Sequence, residues 1–245
     1  MTTKIGFFDS GIGGVTVLKE CIKLNPYFEY IYYSDSLNNP YGDKDKEELN
    51  LIVDNITNKL INEGCKIIVI ACNTASCECA NILREKYKDI SFIAIEPAVK
   101  IASDLNSDGC LIMATKGTLD SDKFKLLFEK YHKDNYHLLP CIGLANMIEN
   151  NDKEGLSKYL SEYLLPYKDK VSSVVLGCTH YPLIKKEISK VLGDISFYDG
   201  SVGVAKRLDS IIKENNYVGN KNNIIFYDSS NDKTKEKRFY EILEK

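Results

Sequence analysis

The sequence has no excess of basic side chains and no long apolar run. Its 32 Lys and Arg residues are matched by 35 Asp and Glu residues, for a net charge of −3, which argues against a surface built for nucleic acid or anionic membranes. Its apolar runs are strand-sized, far short of the roughly 20 residues that span a bilayer. We therefore expect no nucleic-acid partner and no membrane attachment.

The sequence also lacks an export leader and a disulfide framework. It starts MTTKIGFFDSGIGG, without the charged and then apolar segments of a signal peptide. Its eight cysteines do not have the spacing of small disulfide-bonded domains. Both features favour a reducing, cytoplasmic location.

Strand-like and helix-like segments alternate, which is typical of α/β proteins with parallel strands. Strands are predicted near residues 5–8, 29–33, 67–71, 91–95, 110–114, 137–139, 172–177, 195–198 and 224–227. Helices are predicted over 15–22 and 49–60, from 73 to about 88, from 115 through 128, over 156–164 and 202–212, and around Phe239. No low-complexity linker separates domains. We place the domain boundary near Glu96-Pro97, where the fourth predicted strand ends. The predicted domains are residues 1–96 plus 210–245, and residues 97–209.

Polar or reactive side chains follow many of these strands. In open α/β sheets the carboxyl ends of the strands form the edge where ligands bind. The residues expected to gather there are Asp9, Asp35, Cys72, Glu96, Thr115, Cys178 and Asp199.

Two cysteines occupy matching positions in this pattern. Cys72 follows the apolar run 67–71 and precedes a predicted helix, and Cys178 follows the run SSVVLG in the same way. The N–H groups and positive end of a helix favour a thiolate over a free thiol, whose pKa is about 8.5. Nucleophilic catalysis usually needs one cysteine with a histidine. Two equivalent thiols instead suit proton transfer on opposite faces of one stereocentre.

Other interpretations of the cysteines remain open. Most cysteines fill cores, and we assign that role to Cys21, Cys65, Cys77, Cys79, Cys110 and Cys141. A zinc site is an alternative, because Cys72, Cys77 and Cys79 have C-x4-C-x-C spacing and His180 lies near Cys178, although these cysteines run into a helix. The glycine turn at 11–14 lacks the G-x-G-x-x-G spacing of nucleotide sites, but its N–H groups could bind a carboxylate.

Six motifs, in order along the chain, resemble those of the glutamate racemases. They are FDSGIGG (8–14), PYG (40–42), ACNTAS (71–76), IEPA (95–98), T-x-x-T (115–118) and LGCTHYPL (176–183). The resemblance covers roughly the first 210 residues. It implies two α/β domains related by a pseudo-twofold axis, with largely parallel sheets and the active site in the cleft between them. It further implies a cofactor-independent enzyme without a metal, commonly a homodimer, that interconverts L- and D-glutamate to supply D-glutamate for peptidoglycan.

The resemblance also implies roles for residues at matching positions. Cys72 and Cys178 would be the two acid/base groups, tuned by Asp9 and His180, with Glu149 as a further catalytic candidate. Substrate contacts would come from Asp9, Ser10, Tyr41, Gly42, Asn73, Thr74, Thr115, Thr118, Thr179 and His180.

The chemistry of glutamate supports a site of this composition. Its two carboxylates and ammonium need many hydrogen-bond partners in a buried site, and Asp9 or Asp35 could face the ammonium. Simpler roles are also open: Asn73 or Thr74 could only cap a helix, Asp9 could only orient the glycine turn, and His180 could be an ordinary packed histidine.

Three segments depart from the family pattern. Residues 34–39 read SDSLNN, without the usual arginine, residues 141–149 read CIGLANMIE, without two prolines, and Tyr198-Asp199-Gly200-Ser201 replaces a D-S-A motif. These changes bear on affinity, dimer geometry and regulation rather than on the paired cysteines. The alternatives are a racemase for aspartate or another acidic amino acid, a non-catalytic amino-acid-binding relative, and a zinc protein.

Overall fold

Two parallel sheets organise the computed structural model, which describes residues 2–105 and 109–244. All nine predicted strands are present: β1 Lys4–Asp9, β2 Glu29–Ser34, β3 Cys65–Ile70, β4 Ser91–Ala94, β5 Cys110–Ala114, β6 Tyr136–Pro140, β7 Ser173–Gly177, β8 Ser196–Tyr198 and β9 Asn223–Asp228. The expected α/β fold with parallel sheets is therefore confirmed. Between residues 2 and 105 and between 109 and 244, no helix is long and apolar enough to cross a bilayer.

The helices lie between the strands as the alternating pattern predicts. They are α1 Val15–Leu24, α2 Lys46–Asn62, α3 Asn73–Glu78, α4 Ala80–Lys86, α5 Val99–Asp104, α6 Lys116–Asp120, α7 Asp122–Tyr131, α8 Leu144–Glu149, α9 Lys153–Leu164, α10 Lys185–Leu192, α11 Ser201–Glu214 and α12 Lys233–Glu244. Short 3₁₀ turns cover Tyr41–Asp43, Leu165–Tyr167 and Tyr181–Ile184.

Two predicted helices are divided in the structure. The helix expected from 73 to about 88 is α3 plus α4, interrupted at Cys79 and ending at Lys86. The helix expected from 115 through 128 stops at Ser121, whose backbone is extended and whose hydroxyl accepts from the N–H of Phe124 to start α7. Serine favours such capping positions over helix interiors, so this prediction of one continuous helix was wrong.

The first sheet has strand order β4-β3-β1-β2-β9, and the second β6-β5-β7-β8. Every strand pair is parallel. Strands β3 and β7 are interior in their sheets and buried along nearly their whole length, because helices cover both faces of a parallel sheet. The two cysteines that follow these strands consequently occupy equivalent places in the two sheets.

The C-terminal segment returns to the first sheet. Strand β9 pairs with β2 in register Glu29 to Asn223, and α11 packs Val204, Leu208 and neighbours into the core around β1. Helix α11 spans the predicted domain boundary at 209/210. The division into 1–96 plus 210–245 and 97–209 stays a prediction.

Helix α12 is held by Phe239, which is fully buried. Its ring centroid lies 4.4 Å from that of Phe226 and 4.8 Å from that of Tyr32. Phe239→Ala should lower the free energy of unfolding by about 3–5 kcal/mol, because it leaves a cavity among these rings. Urea denaturation measures this change. Leu126→Ala, at a side chain 68% exposed, is the control and should change it by less than about 0.5 kcal/mol. Equal unfolding midpoints for the two variants would contradict this packing.

Candidate active site

A small cavity lies where β1, β3, β5 and β7 end, and residues from both sheets line it. Its volume is about 20 Å³, which is room for about one water molecule. The lining residues are Ser10, Asn39, Pro40, Tyr41, Gly42, Cys72, Asn73, Thr74, Thr115, Ala145, Gly177, Cys178 and Thr179. Both predicted thiols therefore face one space.

Cys72 lies at the N-terminus of α3, where the sequence placed it. Burial raises the pKa of its thiol well above the usual value, and the nearby Asp9 carboxylate and Cys178 raise it further. The N–H groups of Ala75 and Thr74 at the start of α3 act in the opposite direction. The N–H groups of the helix N-terminus lower the pKa as expected, but burial has the larger effect and favours the thiol form of Cys72.

Cys178 begins a buried chain of polar side chains. Its Sγ lies 3.7 Å from Nδ1 of His180, and Nε2 of His180 lies 2.7 Å from Oε2 of Glu149. Burial by itself lowers the pKa of His180, but the hydrogen bonds with Cys178 and Glu149 and the negative charge of Glu149 outweigh it and hold the pKa well above its usual value. These contacts favour a protonated imidazole beside the sulfur.

Glu149 is the carboxylate that balances this imidazolium. It is buried at the end of α8, and its Oε2 also accepts from the N–H of Ile12, at 3.1 Å. Burial raises the pKa of Glu149, but the contacts with His180 and Ile12 and the charge of Lys235 reverse that effect and keep the pKa below its usual value. His180 and Glu149 thus form a buried ion pair. That His180 tunes Cys178, rather than only packing here, stays a prediction.

The glycine turn after β1 lets the backbone approach this ion pair closely. A Cβ at Gly13 would lie 2.7 Å from Nδ1 of His180, and one at Gly11 would lie 2.6 Å from Oε2 of Glu149. Distances this short are too close for any side chain. The turn motif therefore serves contact between the two halves of the molecule.

Asp9 both orients this turn and reaches across the cleft. Its Oδ2 accepts from the N–H of Gly14 at 2.6 Å and from the hydroxyl of Thr179 at 3.0 Å. Its Oδ1 is buried and makes no hydrogen bond within the described residues. Burial raises the pKa of Asp9 above its usual value, although the positive charge of His180 opposes this.

Three threonine hydroxyls join the halves on the other side of the cavity. Oγ1 of Thr74 lies 3.0 Å from Oγ1 of Thr115 and 3.2 Å from Oγ1 of Thr118. Thr115 also caps α6 by accepting from the N–H of Thr118. Helix α3 has no side-chain cap at its N-terminus, and Oδ1 of Asn73 is buried without a partner among the described residues. The capping interpretation of Asn73 and Thr74 is therefore wrong.

The loop with the unusual sequence SDSLNN is fixed by the end of β9. Oγ of Ser36 donates to Oδ2 of Asp228 at 2.5 Å, and the N–H of Leu37 donates to Oγ of Ser229 at 2.9 Å. The hydroxyl of Tyr41 then donates to Oδ2 of Asp35 at 2.7 Å. These contacts hold Tyr41 and Gly42 at the cavity without the arginine that the family pattern has.

Four of the seven residues expected to gather do not line the cavity, namely Asp9, Asp35, Glu96 and Asp199. Asp9 is fully buried and contacts the lining residue Thr179. Glu96 is exposed and pairs with Lys123, and Asp199 binds Lys185 and Ser201. They follow β4 and β8, which are edge strands, so they lie away from the middle of the sheets. Asp35 follows β2, and its Oδ2 accepts from the hydroxyl of Tyr41, which lines the cavity.

The zinc alternative lacks a ligand set in the described part of the chain. There, no three His, Cys, Asp or Glu side chains come together as metal ligands. Cys72 faces the cavity, whereas Cys79 packs in the core beside Leu83 and Cys77 lies among residues at a separate surface groove.

Sequence reasoning missed four cavity residues: Asn39, Pro40, Ala145 and Gly177. Pro40 and Gly177 belong to the motifs PYG (40–42) and LGCTHYPL (176–183), and that membership could have indicated them. Ala145 and Asn39 lie in the two segments that depart from the family pattern, and no signal in the sequence marks them. Lys235 and Arg238, which contact Glu149 from α12, were also missed.

A family model described as Asp/Glu/Hydantoin racemase matches residues 17–206. This chain belongs to the Asp/Glu/hydantoin racemase family. A glutamate racemase of Clostridium perfringens is 45% identical to it over 238 residues, which is 94% of this chain and 92% of the relative. The predicted resemblance is confirmed, and the chain is an amino-acid racemase.

Solved racemases of similar fold support the same assignment. The glutamate racemase of Francisella tularensis in complex with D-glutamate superposes with a TM-score of 0.81 at 31% identity, covering 99% of this chain and 93% of that one. The Escherichia coli glutamate racemase in complex with L-glutamate and the activator UDP-MurNAc-ala gives a TM-score of 0.87 at 26% identity, covering 100% and 95%. This racemase therefore has the two-domain fold of those enzymes.

Proposed function

We propose that this racemase interconverts L- and D-glutamate by two-base proton transfer, in which one of Cys72 and Cys178 removes the Cα proton and the other delivers a proton to the opposite face. The observation that carries this proposal is that two thiols, one from each sheet, line a single cavity. The identity to glutamate racemases supports glutamate as the substrate.

The proposed reaction needs one thiolate and one thiol. The thiolate on one face takes the Cα proton and becomes a thiol. The carbanion then takes a proton from the thiol on the opposite face, which becomes the thiolate, so the configuration is inverted with no net change in charge. In the reverse direction the two sulfurs exchange roles.

Groups around the cavity can stabilise a thiolate at either cysteine. The His180 imidazolium, 3.7 Å from Cys178, provides a positive charge for a thiolate at that position. The N–H groups of Thr74 and Ala75 do the same for Cys72. A low-dielectric, water-excluded site strengthens these interactions and shields the carbanion from water.

Substrate contacts are proposed from the unpaired and hydroxyl groups around the cavity. The free Oδ1 of Asp9 would accept from the ammonium. Ser10, the side-chain amide of Asn73, Thr74, Thr118 and Thr179 would bind the two carboxylates, because hydroxyls and amides donate hydrogen bonds without adding a bare charge. Tyr41, Gly42 and Thr115 would close the remaining wall.

Three wider expectations follow from the same proposal. The reaction proceeds without added cofactor or metal, the enzyme is a cytoplasmic homodimer, and its product is D-glutamate for peptidoglycan. Sedimentation velocity of the purified chain tests the dimer, which would sediment at twice the monomer mass.

The test of function is a circular-dichroism assay with L-glutamate and no added cofactor. We expect loss of optical activity, together with deuterium incorporation at Cα in deuterated water. Faster loss with L-aspartate than with L-glutamate would identify an aspartate racemase instead. Binding of glutamate without exchange at Cα would identify a non-catalytic relative.

A further inference from the structure

Helix α12 reaches the buried carboxylate of Glu149 from the far end of the chain. The Arg238 guanidinium donates to the backbone carbonyl oxygens of Glu149 and Ile148, the latter at 2.6 Å. Nζ of Lys235 lies 3.5 Å from Oε1 of Glu149. Arg238 and Lys235 therefore both contact the C-terminal end of α8, where Glu149 pairs with His180.

These contacts satisfy groups that would otherwise be buried without a partner. Oε1 of Glu149 makes no hydrogen bond within the described residues, so the charge of Lys235 is the compensation that the structure shows at that oxygen. The last carbonyls of a helix also lack intrahelical partners and carry partial negative charge. The guanidinium of Arg238 provides donors to two of them and fixes the backbone from which the Glu149 side chain projects.

The other ionisable groups near this carboxylate do not replace the two cations. His180 is its hydrogen-bond partner. Tyr32 is buried, and the charge of Glu149 helps to raise the pKa of that tyrosine. Asp9 interacts with the same imidazole, since the charge of His180 lowers the pKa of Asp9. Two acidic side chains therefore interact with one imidazole, and Lys235 and Arg238 are the further cations at Glu149.

We propose that Lys235 and Arg238 are positioning residues that keep the Glu149 carboxylate ionised and seated between His180 and Ile12. Neither residue lines the cavity, so both act through Glu149 and His180 on Cys178. Their effect on catalysis rests on the function proposed above. Their effect on the ionisation and position of the Glu149 carboxylate does not depend on that function.

The first test measures Glu149 without using activity. The chain has three histidines, so ¹⁵N-histidine NMR can resolve His180, assigned with His180→Asn. The acid-side inflection of its Nε2 shift reports protonation of Glu149. In Lys235→Met and Arg238→Met this inflection should move to higher pH by about one unit, the usual size of an effect from a nearby charge. In Lys237→Met it should not move, because Lys237 lies on the same helix, exposed and 3.9 Å from Glu241.

The second test uses the pH dependence of kcat/KM. At the pH optimum, kcat/KM of Lys235→Met and Arg238→Met should be about tenfold below that of the wild-type chain, and the acid limb of their pH profiles should move to higher pH. The kcat/KM of Lys237→Met should stay within about twofold of the wild-type value. Lys235→Arg keeps the charge and should restore the wild-type limb. In a Glu149→Gln background, Lys235→Met should have no further effect on that limb.

The outcomes separate the two proposals. If the wild-type chain does not racemise glutamate but the NMR inflection moves, the proposed function fails and the role of α12 stands. Suppose instead that the wild-type chain racemises glutamate. If the NMR inflection of His180 and the acid limb of kcat/KM in Lys235→Met and Arg238→Met then coincide with those in Lys237→Met, the proposed role of α12 is wrong. Should Arg238→Met not fold, Lys235→Met and Lys235→Arg decide the question, because the Lys235 ammonium pairs with the side chain of Glu149 rather than with the backbone of α8.

Discussion

Replacing either Cys72 or Cys178 with alanine should abolish racemisation of glutamate while the protein stays folded. In the proposed mechanism each thiol is the acid or base on one face of Cα, and among the described residues no third cysteine lines the cavity. A positioned acid or base contributes about 10²–10⁴-fold, so we expect kcat/KM to fall by at least about 10³-fold in each variant. The circular-dichroism assay measures this loss.

A buried cysteine away from the cavity provides the control. Cys21 is fully buried in α1, and Cys21→Ala should keep wild-type kcat/KM while lowering the free energy of unfolding by about 1 kcal/mol. Each active-site variant still has one thiol, so in deuterated water it should exchange the Cα proton of one enantiomer only. The two variants should exchange opposite enantiomers. Racemisation at the wild-type rate in either variant is incompatible with the mechanism.

Glu149→Gln should lower kcat/KM by about 10²-fold and move the basic limb of the pH profile to lower pH. The amide keeps the shape of the side chain but removes the negative charge that helps to hold the pKa of His180 well above its usual value. The imidazolium in the variant then loses its proton at a lower pH. Activity that depends on the imidazolium beside Cys178 declines at that lower pH as well.

Glu154→Gln is the matched control for this prediction, because Glu154 is exposed in the first turn of α9, shortly after Glu149 in sequence. Its pH profile should coincide with that of the wild-type chain. A basic limb that does not move in Glu149→Gln would show that the His180–Glu149 pair has no part in proton transfer.

The sequence was sufficient for the sheets and for the position of the two thiols. Strands such as β3 are short apolar runs ending at a polar residue, and the carboxyl ends of interior parallel strands meet at one edge. Cys72 and Cys178 follow β3 and β7, so their convergence follows from local pattern and general topology. Glu96 and Asp199 were wrongly grouped with them, because the position of a strand within its sheet depends on pairing between distant segments.

The sequence was insufficient where contacts join segments far apart. Helix α8 carries Glu149, yet its six residues are too few to show helical periodicity, and Glu149 was found only through the resemblance to glutamate racemases. The contact between Arg238 and Glu149 spans 89 residues. It depends on how α12 packs through Phe239, which no local pattern specifies. The same holds for the loop at Ser36, whose anchor on Asp228 lies in the last strand.

The opposed placement of the two sulfurs around one carbon is tested most directly by a crystal structure of the complex with glutamate. We predict that Cα lies between Cys72 and Cys178, with Sγ atoms on opposite faces at about 3–3.5 Å, the distance of groups poised to react. A complex in which both sulfurs lie on the same face of Cα, or in which glutamate binds outside this cavity, would contradict the account.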